Sequence, residues 1–266
     1  MDYLKLLAPP AGLRVLITGG ASGIGLTIAQ AFVSTGARVH VCDVDARAID
    51  ALSTHATVSP SITGTRADVS NKADVARVFD DAKRELGGLD VLINNAGIAG
   101  PTGGIDEIES DDWERTIDIN LNSHYYFSSQ AVPMLREANG GGVIVFMSSV
   151  AGRLGYGFRT PYSATKWAIV GLAKSLAIEL GADNIRVNAV QPGIVKGPRM
   201  EGVIAARAKQ LNISYQEMEA RYLEKISLRR MVTQEEIAAS VLFLSSPAGS
   251  AISGQALSVC GNVETL

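Results

Sequence analysis

Tyr162 and Lys166 stand four residues apart, so a helix over this stretch puts both side chains on one face. Ser149 stands thirteen residues before the tyrosine, just past an apolar run that reads as a strand. A free phenol has a pKa near 10 and is a poor base at neutral pH. An ammonium about 4 Å away, at an effective dielectric near 20, favours the phenolate by roughly 4 kcal/mol. One pKa unit corresponds to about 1.4 kcal/mol, so such a pairing is worth up to about three units. A phenol tuned in this way could take the proton of an alcohol as hydride leaves, or return it in the reverse direction. A serine hydroxyl beside it would orient the substrate oxygen. By itself the Tyr-x-x-x-Lys spacing suits a half-buried tyrosine with a snorkelling lysine equally well. The rest of the chain decides between the two.

The decisive neighbour is a glycine-rich turn. An apolar run, Leu13–Ile17, leads into Thr18-Gly19-Gly20-Ala21-Ser22-Gly23-Ile24-Gly25, which opens an amphipathic stretch. Strand, glycine turn, helix is the arrangement in which backbone N–H groups approach a pyrophosphate, and a helix N-terminus favours its negative charge. We read Gly19, Ser22, Gly23, Ile24 and Gly25 as that loop. Asp43 ends the second strand-like run, 18 residues after Gly25. A carboxylate there can accept hydrogen bonds from ribose hydroxyls and would repel a 2′-phosphate. The loop carries no Arg or Lys, so the expected cofactor is NAD rather than NADP.

These residues need a scaffold, and the alternation of patterns specifies one. β-branched runs at 13–17, 38–42, 63–66, 89–93, 143–147, 185–190 and 256–259 read as seven strands. Stretches at 24–35, 46–52, 72–86, 111–135, 163–180 and 234–243 read as helices, with Val75, Val78, Phe79, Ala82 and Leu86 at helical spacing. Strand–helix alternation implies an α/β fold, a doubly wound parallel sheet with helices on both faces. Near-continuous apolar strands agree with burial on both sides. Between Lys196 and Met231 the rhythm breaks into about two helices of mixed charge, which we read as a substrate lid at 196–231 within one domain spanning 1–266.

Composition narrows the function. At 266 residues, 47% hydrophobic and 19% charged, the chain is globular in type. A net charge of -3 and no basic stripe argue against a nucleic-acid partner. Two cysteines, Cys42 and Cys260, are too few for a disulfide scaffold, and three scattered histidines make a metal centre unexpected. The absence of a long apolar run or a leader-like start leads to the expectation of a cytoplasmic protein that spans no membrane.

Taken together, Thr18-Gly19-x-x-x-Gly23-Ile24-Gly25, Asp68-Val69, Asn94-Asn95-Ala96-Gly97, Asn120, Ser148-Ser149, Tyr162-x-x-x-Lys166 and Pro192-Gly193 resemble the short-chain dehydrogenase/reductase family over essentially the whole length. The resemblance implies a Rossmann fold, a nicotinamide cofactor and alcohol–carbonyl interconversion, in a homotetramer. It implies Tyr162 as acid/base, Lys166 as its partner and ribose ligand, Ser149 as substrate-positioning serine, and Asn120 as holder of a relay water. It further implies Asp68 and Val69 at the adenine, Asn95, Ala96 and Gly97 along the ribose, and Pro192, Gly193 and Val195 beside the nicotinamide. Two departures stand out. Gly197 replaces a threonine that often bonds the carboxamide, and Cys260-Gly261-Asn262 replaces a usual Asp-Gly-Gly.

The substrate is less legible. Arg153, Tyr156, Phe158 and Arg159 lie between Ser149 and Tyr162, and Arg199, Arg207 and Lys209 lie in the lid. Arginine suits a carboxylate through paired hydrogen bonds. We expect a small polar secondary alcohol, a polyol, hydroxy acid or sugar acid, contacted by Arg153, Tyr156 and Arg199. Surface solubility is the competing role for these arginines. A 3-oxoacyl-thioester reductase, a hydroxysteroid-type dehydrogenase and a non-catalytic NAD sensor are the alternatives. His124 is read as a packed helix histidine.

Overall fold

Seven parallel strands form one sheet in the order β3-β2-β1-β4-β5-β6-β7. They are β1 (Arg14–Thr18), β2 (Arg38–Asp43), β3 (Ile62–Arg66), β4 (Val91–Asn94), β5 (Gly142–Met147), β6 (Ile185–Pro192) and β7 (Ala256–Val259). The computed structural model describes residues 3–52, 62–138 and 140–264. Chain order reverses between β1 and β4, so the carboxyl ends of these two strands flank the crevice where such sheets bind ligands.

Successive strand residues point to opposite faces, and both faces are dry. Leu16, Leu92, Ile144, Phe146 and Val187 pack with α4 (Lys72–Leu86), α6 (Ser123–Arg136) and α7 (Thr160–Glu179) through Val75, Phe79, Phe127, Leu135 and Ile169. Val15, Ile17, Val39, Val41, Ile93 and Val145 pack on the other face with α2 (Gly23–Ser34) and α10 (Gln234–Ser245) through Ile28, Phe32, Ile237 and Val241. The remaining helices are α1 (Tyr3–Leu7), α3 (Ala46–Leu52), α5 (Ser110–Ile117), α8 (Pro198–Leu211) and α9 (Tyr215–Glu224).

Boundaries follow local chemistry. The Asn71 side chain caps α4 by accepting from Ala73 N (2.9 Å) and Asp74 N (3.2 Å), and Gly87 ends it in the left-handed region at φ 75°. The stretch expected as one helix at 111–135 is instead α5, a π turn over Asp118–Asn122, and α6. An added residue in one turn leaves the apolar stripe nearly intact, so periodicity alone does not reveal it. Helix α1 is too short for a periodic signal. The segment after β6 forms α8 and α9, whose Ile204, Ala208 and Met218 make a small apolar cluster of their own.

Candidate active site

The glycine turn is shaped for close backbone approach. Gly19 and Gly23 lie at φ 59° and 53°, where a side chain is disfavoured. A Cβ on Gly25 would stand 2.1 Å from the Gly19 carbonyl oxygen, so only hydrogen fits. Ser22 is the N-cap of α2, exposed, and its hydroxyl makes no capping hydrogen bond. The first N–H groups of α2 are thus left for an external anion. The Asp43 carboxylate stands at the same rim, accepting from Ala21 N (3.2 Å) and Asp45 N (3.1 Å).

Asn95, expected along the ribose, acts as a latch between two segments. Its Nδ2 donates to Thr18 O (3.0 Å) and Gly19 O (2.9 Å), while Thr18 Oγ1 accepts from Asn95 N (3.0 Å) and Ala96 N (2.9 Å). These four bonds tie the end of β4 to the glycine turn. Thr18 is the partner that spacing arguments missed; its signal was its place at the strand end. Asp68 bonds its own turn through Ser70 N (2.9 Å) and Ser70 Oγ (2.7 Å), and Val69 is buried in the core.

Three bonds seat α7 against the end of β5. Ser148 Oγ donates to Lys166 O (2.7 Å), Ser163 Oγ to Ala151 O (3.0 Å), and Lys166 Nζ to Met147 O (2.8 Å). Lys166 is buried at 4% exposure, and its ammonium lies 5.6 Å from the centre of the Tyr162 ring. Ser149 lies two residues past the same strand and caps the short turn Val150–Gly152, accepting from Ala151 N at 3.2 Å. Tyr162, Lys166 and Ser149 are therefore neighbours at the carboxyl edge of the sheet. A Cβ on Gly97 would come within 3.5 Å of Lys166 Nζ and 3.2 Å of Asn120 Oδ1, so the bare backbone there leaves room beside the lysine. Asn120 sits in the π turn. Its Oδ1 accepts from Ile98 N (2.7 Å), and its Nδ2 donates to Ile98 O (3.0 Å) and Thr165 Oγ1 (3.4 Å). These bonds fix the Asn120 side chain between Ile98 and α7.

Past β6, Gly193 N donates to Val259 O (3.0 Å), and a Cβ on Gly193 would clash with Cys260 Cβ at 2.7 Å. Pro192 ends the strand and Val195 bridges to Val232. Gly197, at φ 157°, is the N-cap of α8 and lies against Gln234.

Of the residues expected at the substrate, two have partners of their own. Arg153 is turned to the C-terminal segment, donating to Val263 O and pairing with Glu264 at 3.3 Å. Hydrogen bonding to Glu264 raises its guanidinium pKa despite burial. Its guanidinium therefore already has a carboxylate partner. Arg199 lies in the first turn of α8, with its side chain outside the described residues. Tyr156 stacks with a different arginine, Arg159, whose Cζ lies 5.3 Å from its ring centre. His124 is fully buried, stacked on Phe146, with Nε2 3.3 Å from Ala96 O. Burial pushes its pKa down to about 3, with the Lys166 cation acting the same way, so the ring is neutral. An Nε2–H donating to that carbonyl leaves Nδ1 as a buried acceptor without a partner.

The comparisons with known proteins agree with this geometry. A family described as enoyl-(acyl carrier protein) reductase matches residues 19–262. "Probable galactose dehydrogenase GalD" of Rhizobium meliloti is 36% identical over 251 residues, 94% of each chain. "Galactitol 2-dehydrogenase" of Agrobacterium fabrum is 36% identical over 249 residues, covering 92% of this chain and 95% of that one. The chain belongs to the short-chain dehydrogenase/reductase family. A crystal structure of 7α-hydroxysteroid dehydrogenase with NADH and 7-oxo glycochenodeoxycholic acid superposes at a TM-score of 0.88, with 31% identity over 99% of this chain and 98% of that one. As a member of this family the chain is an oxidoreductase of the alcohol–carbonyl kind.

Proposed function

We propose that this short-chain dehydrogenase/reductase interconverts a small polar secondary alcohol and its ketone with NAD. The observation that carries the reading is the pairing of Lys166 with Tyr162 just past the carboxyl end of β5, where Ser149 also stands. The residues present fit a dinucleotide: an uncapped α2 N-terminus for the pyrophosphate, the Asp43 carboxylate for the adenosine ribose, and open backbone at Gly97 next to Lys166. A nicotinamide held there would supply or accept the hydride. Tyr162 exchanges the proton at its phenol oxygen, with the Lys166 cation held in place by Met147 O. Ser149 orients the substrate oxygen, and Ala96, Pro192 and Val195 line the cofactor side. Asp43 would meet a 2′-phosphate with like charge, which favours NAD.

Helices α8 and α9 form the lid, in one domain with the sheet. Ile178 (85% exposed), Trp167 on α7 and Leu257 on the edge strand β7 support a homotetramer built through these surfaces. Light scattering at micromolar concentration tests this; a monomer overturns it. The buried free thiols Cys42 and Cys260 suit a reducing compartment such as the cytoplasm. Likeness to a hydroxysteroid enzyme supports a second reading, a bulkier apolar alcohol. Cofactor reduction followed by absorbance over polyols, hydroxy acids, sugar acids, steroids and acyl thioesters, with NAD and NADP in parallel, separates them. Turnover of the polar alcohols is expected; turnover of steroids alone would overturn the polar-substrate reading. No turnover with tight NAD binding would favour a sensor.

A further inference from the structure

Arg159 precedes Tyr162 by three residues and is held against it. Its guanidinium carbon lies 5.3 Å from the ring centres of both Tyr162 and Tyr156. One terminal nitrogen donates to Ala99 O at 2.7 Å. Its Nε is buried and has no hydrogen-bond partner. Among the described residues no carboxylate pairs with it, although Arg14, Arg77, Arg84, Arg136, Arg153, Arg221 and Arg230 all have one. A half-buried cation ordinarily brings its own anion, because desolvation without one is unfavourable.

The backbone is bent to put this cation where it is. Phe158 lies at φ 61°, a strained conformation for a bulky residue, with its side chain exposed. The turn brings Arg159 to the N-cap of α7, immediately before the first turn that carries Tyr162. Tyr222, from α9 of the lid, completes the surroundings. Burial raises its pKa, Tyr156 adds to this, and the Arg207 and Arg159 cations oppose it, so all three lie within electrostatic reach of Tyr222. Two tyrosine rings thus flank a guanidinium, one of them the reacting phenol itself.

We infer that Arg159 is a specificity-determining residue that binds the carboxylate of a hydroxy-acid or sugar-acid substrate, only a few bonds from its carbinol carbon. This rests on Tyr162 being the proton-exchanging group. The planar guanidinium presents paired donors, and the two rings hold it preorganised by cation–π contact. Substrate binding then supplies the missing anion.

The test compares D-gluconate and D-galactonate with galactitol and xylitol, with saturating NAD, for the wild type, Arg159→Gln and Arg159→Lys. The wild type is expected to prefer the acids. Arg159→Gln is expected to lower kcat/KM for the acids more than for the polyols, by a further roughly 10- to 150-fold, mainly through KM. Arg159→Lys, which keeps the charge and loses the fork, should fall between. Melting and NAD titration of each variant confirm that it folds. Equal losses on acids and polyols would overturn the inference and mark Arg159 as support for Tyr162. A wild type that oxidises the polyols and ignores the acids would also overturn it, while leaving the proposed reaction standing. Failure of the reaction itself would appear as no turnover of any of the four alcohols.

Discussion

Gly25→Ala tests how tightly the glycine turn is built. The change is one methyl group at a position with ordinary backbone angles, so the effect is steric. The new Cβ would stand 2.1 Å from Gly19 O, 2.7 Å from Asn95 Nδ2 and 2.9 Å from Gly20 Cα. Two of the three are backbone atoms of the turn, and the third is the latch that pins it. Relief of the worst contact needs a displacement of roughly 1 Å, which is enough to lose a charge-assisted N–H bond to a phosphate. One such bond is worth about 1.5–3 kcal/mol, a roughly 10- to 150-fold rise in the Kd for NAD. Overpacking adds about 1–3 kcal/mol of destabilisation, at roughly 2–4 °C of melting temperature per kcal/mol. Calorimetric titration with NAD and a thermal melt read both quantities. A Kd within threefold of the wild type, with an unchanged melt, would refute the tight-turn argument.

Other expectations follow from the same geometry. Tyr162→Phe should lower kcat by about 10²–10⁴-fold with NAD affinity retained, and near-wild-type turnover would remove the proton chemistry. Asp43→Asn keeps an acceptor oxygen and removes the charge, so the NADP-to-NAD ratio of kcat/KM should rise about tenfold or more in parallel assays. Burial lowers the pKa of His40 to about 4 and that of His124 to about 3. Both stay neutral in the folded chain while the unfolded chain protonates below about pH 6.5. Stability from these two is therefore complete above that pH and falls as pH drops towards 4, by up to about 1.4 kcal/mol per unit for each. Urea unfolding at pH 7, 6 and 5 reads the slope, and His40→Gln should make it shallower; equal stability at pH 7 and 5 would contradict it. Gly202 in α8 has open space and ordinary φ, so Gly202→Ala should raise stability by about 0.5–1 kcal/mol in a thermal melt.

The sequence by itself determined the sheet and its order of contents. Strand runs that are apolar at every position require cover on both faces, and α3, α4 and β7 occupy the stretches that spacing marked out. It also marked out the proposed reacting residues, because Tyr162 and Lys166 share a helix face and Ser149 follows a strand, and these relations are local. The tertiary structure decided what depends on partners distant in the chain. The bonds of the Asn95 amide to Thr18 and Gly19, 76 or more positions away, are one case. Arg153 looked like an anion site until Glu264 and Val263, more than a hundred residues on, were found to hold it. Arg159 has a carbonyl, Ala99 O, but no carboxylate among the described residues, and its stacking on Tyr156 and Tyr162 accompanies the bend at Phe158, which no propensity announces. Spacing reports which side chains can share a face; only packing reports which of them already have a partner, since a hydrogen bond between remote segments leaves no periodic mark in either.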